Sequence, residues 1–139
     1  MPELAAHKSE GKSQVGDMDP LFILEMGEVM TNGLIKYPND PDGAPNWWKG
    51  GDYRSFCASI LRHSLKMAAG EDLDEESGLP HAAHIAVDAM FLRSWQKRKV
   101  GADTRLSDEY GALAEMTQLA ASEAAYLSAH QAISRAGSL

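Results

Sequence analysis

Apolar positions recur at helical spacing through most of the chain, and no convincing alternation of period two appears. Asp19-Pro20 reads as a helix start, with Asp as N-cap and Pro at the first helical position. Phe22, Met26, Val29 and Met30 then carry an apolar stripe to about Leu34. Residues 37–51 break the period with Pro38, Asn39-Asp40-Pro41, Asp42-Gly43, Pro45 and Gly50-Gly51, a loop of a length often tied to function. A second helix is expected from Asp52 to about Ala69. Phe56, Ile60, His63 and Met67 form its apolar stripe, and Ser55, Ser59, Arg62 and Lys66 form a polar one. A third helix runs from Pro80 to about Arg98. The fourth opens at Ser107, with Asp108 and Glu109 near its positive dipole end, and continues to about Ser134. Leu113, Met116, Ala120, Ala124 and Leu127 are in register along it. The pattern predicts an all-α protein, a four-helix bundle. The alanine-rich stripe of the last helix suits either the core of one chain or a subunit interface, and a homodimer or homotetramer is expected.

Composition narrows this picture. The 139 residues suffice for one hydrophobic core, at 44% hydrophobic and 24% charged. Residues 1–16 are polar, lack the apolar centre of a signal peptide and read as a flexible arm, leaving residues 17–139 as a single domain. Thirteen basic against twenty acidic residues give a net charge of −7, which argues against a nucleic-acid surface but not against a nucleotide held with cations. Cys57 is the only cysteine, so no intrachain disulfide forms, and a cytoplasmic setting is expected. No apolar run approaches a membrane span.

The chemistry concentrates between Gly70 and Asp88. Five carboxylates (Glu71, Asp72, Asp74, Glu75 and Glu76) precede His81 and His84, and a helix beginning at Pro80 puts His81, His84 and Asp88 on one face. Oxygen and imidazole donors converging at one helix end suit a divalent cation, with Glu71, Asp74, His81, His84 and Asp88 as candidate ligands. A solvated acidic loop and a metal-free Asp88–His pair are the plainer alternatives. The loop is no EF-hand, because its sixth position is Ser77 and its twelfth Ala83. Phosphate-binding glycine loops, zincin motifs and cysteine clusters are absent. Trp47 and Trp48 could stack a nucleobase or plug the core. Arg62 and Lys66 could grip phosphate or merely face solvent, and His63 points toward the core.

Several of these segments together resemble the phage dATP/dGTP diphosphohydrolase family, a MazG-like branch of all-α nucleotide pyrophosphohydrolases. They are Gly33-x-x-Lys36-Tyr37, Asn46-Trp47-x-Lys49-Gly50, Arg62-His63, the run Gly70 to His84, and Phe91-Leu92, about half the chain in order. The resemblance implies hydrolysis of purine deoxynucleoside triphosphates, dGTP and dATP, to monophosphate and pyrophosphate with Mg²⁺ or Mn²⁺. In a phage, acting in the host cytoplasm, it also implies a supply of dGMP for 2-aminoadenine nucleotide synthesis. On that reading Glu76 is the general base, Lys36, Arg62 and His63 meet the triphosphate, and Asn46 with Trp47 faces the base. The alternatives are an HD-type metal phosphohydrolase, which lacks its His-Asp doublet here, and a non-enzymatic helical assembly protein.

Overall fold

The computed structural model describes residues 2–8 and 10–137, with the side chains of 108–110 and 114 outside the described set. The readings placed on Asp108 and Glu109 therefore lie outside the described residues. Among the described residues four α-helices, α1 (Pro20–Lys36), α2 (Tyr53–Ala68), α3 (His81–Arg98) and α4 (Ser107–Gly137), make the fold all-α. Among the described residues there is no β-strand, only the isolated bridges Asp52–Ala102 and Leu73–Pro80. No described helix is long and apolar enough to cross a membrane.

The chain divides into two compact units, residues 1–102 and 103–139. In the first, α3 lies between α1 and α2 and packs on both. Asp19 caps α1 by accepting the Leu21 N–H at 3.0 Å, and Asp52 caps α2 by accepting that of Ser55 at 2.8 Å. On one side of α3, Ala83 and Val87 meet Val29, with Phe22, Met26 and Met30 packed around them. On the other, Leu92 and Trp95 meet Tyr53, with Phe56, Cys57 and Ile60 alongside. The expected stripes of α1 and α2 are thus the core faces, with one exception. Met67 is 42% exposed, because α3 starts opposite His63 and the last turn of α2 runs past it.

Two loops shape the space between these helices. Residues 37–52 contain a 3₁₀ turn, Asn46–Lys49. Its backbone is pinned to α3, since the Trp95 indole N–H donates to the Trp47 carbonyl at 2.7 Å and Arg98 donates to that of Trp48 at 2.9 Å. The acidic loop is closed by its own backbone: Asp74 N–H donates to Leu79 O, Gly78 N–H to Asp74 O, and His81 N–H to Asp72 O. The carboxylates are therefore carried on an ordered turn. In the second unit α4 is a single 31-residue helix, and one helix cannot cover its own apolar residues from within.

Candidate active site

A cleft of about 910 Å³ opens in the first unit, walled by α1, α2, α3 and both loops. Lys36, Asn46, Trp47, Arg62, His63, Asp74, Glu76, His84 and Asp88, nine of the residues expected at the site, line it. Glu71, which is exposed, and His81, which is buried, do not line it. Three antiparallel rungs join α2 to α3 along its floor. His63 stacks on His84, ring centres 4.6 Å apart and planes within 5°. Ser59 and Asp88 both line the cleft, and the Ser59 hydroxyl favours the charged form of the Asp88 carboxylate. Phe56 meets Phe91 edge-on at 6.1 Å.

The polar end of this floor holds a tight donor cluster. His63, Asp74 and His81 each offer one ligand atom, all within 4.8 Å of one another. His81 is completely buried. Its Nδ1 meets the Nδ1 of His63 at 2.8 Å, so one ring must donate and the other accept. Its Nε2 is enclosed without a hydrogen-bond partner. Glu71 Oε2 stands 3.5 Å away, within ion-pair range but too long for a good hydrogen bond. Two imidazole nitrogens sharing one ion at about 2.1 Å stand roughly 3.0–3.4 Å apart, close to the spacing observed. The donor set therefore fits a divalent cation, with the Nε2 of His81 facing Glu71 on the far side of its ring.

Electrostatics match this. Burial and the nearby His84 and His81 rings push the His63 pKa below its ordinary value, keeping it neutral and able to bind a cation. Burial alone would raise the pKa of Asp74. The backbone and side-chain hydrogen bonds from Ser77, with His84 and His63 behind them, outweigh burial and hold it below the ordinary range. Asp88 goes the other way: burial raises its pKa, opposed by Ser59, His84 and Arg62.

The cluster regroups the expected ligands. Asp74 and His81 converge, joined by His63 from α2, which was expected on the substrate. His84 is turned to Ser77, its Nε2 2.8 Å from the hydroxyl. Asp88 sits one helical turn along, on Ser59, outside the converging group. Glu76 is ion-paired with Lys36 across the cleft mouth, both exposed, and this pairing raises the Lys36 pKa. Trp47 both plugs and lines the cleft, stacked on Phe91 at 4.6 Å and 17°. Ser59 and Ser77 were not singled out from sequence. Ser59 has a legible signal, since it lies on the polar stripe of α2 with Arg62 and Lys66. Ser77 shows only as a turn residue before Gly78.

The chain is 35% identical over 83 residues to a dATP/dGTP diphosphohydrolase of Salmonella phage PMBT28, covering 60% of this chain and 27% of the relative. The chain thus spans about a quarter of the length of that curated relative. No solved structure matches. The family described as dATP/dGTP diphosphohydrolase, N-terminal, matches residues 3–105, which contain every helix and loop that builds the cleft. On that match, the chain belongs to the dATP/dGTP diphosphohydrolase N-terminal family.

Proposed function

We propose that this chain hydrolyses purine deoxynucleoside triphosphates, dGTP and dATP, to the monophosphate and pyrophosphate in a divalent-cation-dependent reaction. The observation that carries the reading is the polarity of one cleft. His63 and Asp74, with the buried His81 behind them and Lys36, Arg62 and Lys66 nearby on the walls, lie at one end, and an aromatic wall of Trp47 and Phe91 lies at the other. A nucleotide has the same order of chemistry, from anionic chain to flat base.

His63, Asp74 and His81 would hold the cation, with Glu71 beside His81 neutralising its charge. Imidazole donors favour Mn²⁺ or a similar transition ion, while oxygen-rich surroundings also admit Mg²⁺. When bound, the ion would polarise phosphate oxygens and make water more acidic. Lys36, Arg62 and Lys66 neutralise the triphosphate. As Lys36 turns to phosphate it releases Glu76, whose carboxylate then takes the proton of the attacking water. His84 is held by Ser77 and stacked on His63, which keeps both rings in one orientation. Trp47, clamped through its carbonyl by Trp95, presents a fixed apolar wall to the base, with Asn46 beside it.

The monophosphate product would be available to 2-aminoadenine nucleotide synthesis in a phage. The alanine-rich stripe of α4, including Ala120 and Ala124, suits close helix packing in a homodimer or homotetramer, and light scattering reads that state directly.

The deciding experiment incubates the protein with each dNTP and Mg²⁺ or Mn²⁺ and identifies the products by chromatography. Purine monophosphate with pyrophosphate is expected. Release of intact triphosphate would indicate HD-type cleavage, and release of orthophosphate would likewise overturn the reading.

A further inference from the structure

Asp88 is a partly buried acid lining the cleft that neither the donor cluster nor the water-activating carboxylate accounts for. It occupies the middle rung of the floor. His84 lies four residues before it and Phe91 three residues after, which at about 1.5 Å per residue places it roughly 6 Å from the polar end and 4.5 Å from the aromatic end. Val87 beside it is buried, and the stripe it shares with His84 and Phe91 faces the cleft. On the opposite helix the Ser59 hydroxyl favours its charge, as do His84 and Arg62 through space. One donor leaves most of the carboxylate's acceptor capacity unfilled. A partly buried carboxylate with spare lone pairs needs a donor, and hydroxyl groups are the donors a nucleotide carries between its phosphates and its base.

Building on the nucleotide hydrolase reading above, we infer that Asp88 accepts a hydrogen bond from the 3′-hydroxyl of the substrate's deoxyribose, making it a sugar-reading residue of this cleft. The three rungs then match the substrate in order: His63–His84 beside the phosphates, Ser59–Asp88 under the sugar, and Phe56–Phe91 with Trp47 beside the base. Ser59 is the positioning residue, because its hydroxyl is the polar group across the cleft floor that favours the charged carboxylate.

The test needs only the wild-type protein at first. Steady-state kinetics with dGTP and with 2′,3′-dideoxyguanosine triphosphate compare two substrates that differ in this hydroxyl. A hydrogen bond to a charged acceptor should favour dGTP in kcat/KM by roughly ten- to a hundredfold. In Asp88→Ala the ratio should fall to about one, with the loss confined to dGTP. Asp88→Asn, which keeps a neutral acceptor, and Ser59→Ala, which frees the carboxylate, should give intermediate ratios and cover the case in which the alanine variant does not fold. Equal use of both nucleotides by the wild type would overturn the inference. So would an unchanged ratio in Asp88→Asn, or loss of Mn²⁺-induced thermal stabilisation in that variant, which would make Asp88 a cation ligand. If neither nucleotide is hydrolysed, the hydrolase reading fails. Calorimetric binding of dGMP against its dideoxy counterpart then tests the hydroxyl contact by itself, and equal affinities would refute it.

Discussion

Gly50→Ala is a sharp test of how the aromatic wall is held. Gly50 ends the 3₁₀ turn with φ 91° and ψ 159°, a backbone region open essentially to glycine alone. A Cβ there would stand 2.3 Å from the Gly101 nitrogen and 2.6 Å from its Cα. Backbone atoms cannot swing aside as a side chain can, so the strand of chain after α3 must move. That movement threatens the Ala102 N–H bond to Gly51 O (2.9 Å) and the Tyr53 N–H bond to Ala102 O (3.0 Å). Conformational strain contributes about 1–3 kcal/mol and the two hydrogen bonds about 1 kcal/mol each, so the expected loss is roughly 3–5 kcal/mol. For a unit of this size that lowers Tm by on the order of 15–30 °C. Gly43→Ala is the control. Gly43 also has positive φ, 86°, but a Cβ there meets nothing within 4 Å. Strain alone should cost it about 1 kcal/mol, or roughly 5 °C. Thermal unfolding followed by circular dichroism reads both, and KM should rise only in Gly50→Ala, where Trp47 is displaced. Equal losses in the two variants would refute the close approach of the Gly50 and Gly101 backbones.

Three further outcomes are expected. Mn²⁺ at a hundred times its Kd should stabilise the wild type by about 2.7 kcal/mol, and His63→Ala and Asp74→Asn should abolish that shift in a melting assay. A full shift in both would put the ion elsewhere. Glu76→Gln should lower kcat by roughly 10²- to 10⁴-fold with little change in Tm, since its pairing with Lys36 is exposed; unchanged kcat would remove Glu76 from proton transfer. Burial raises the pKa of Asp88 in the folded protein, so its contribution to stability is fully present below the unfolded carboxylate value of about 3.9 and is lost as pH rises through the folded value. Asp88→Asn should therefore melt higher than the wild type at pH 7, with the gap closing toward pH 3; a gap independent of pH would contradict the assigned burial.

Helix existence and the core faces were legible in the chain because they rest on local chemistry. Asp19-Pro20 and Asp52 satisfy helix N-terminal N–H groups with side chains adjacent in sequence. The spacing of Phe22, Met26 and Val29 places them on one side of a 3.6-residue period wherever that helix goes. The family resemblance was legible for a related reason, since its motifs are contiguous runs such as Gly70 to His84. The acidic loop could likewise be recognised as a place where donors gather.

Which donors meet was another matter, because it depends on how two helices are phased against each other. His63 belongs to the apolar stripe of α2, and nothing in its neighbours says that its Nδ1 will face that of His81, eighteen residues later. Asp88 shares a helical face with His84 and His81, yet it lies outside the converging group, on the stretch of the floor lined by Ser59 of the antiparallel helix. Trp47 showed both an apolar plug and a stacking surface in sequence. Only the packing of α3 against the loop, through the Trp95 indole and Phe91, lets one ring serve as both. Helical period sets direction around one axis. Contacts between helices depend on relative rotation and translation, which the crowded crossing at Gly50 and Gly101 and the packing of Phe91 between both cores settle only when the whole chain is folded.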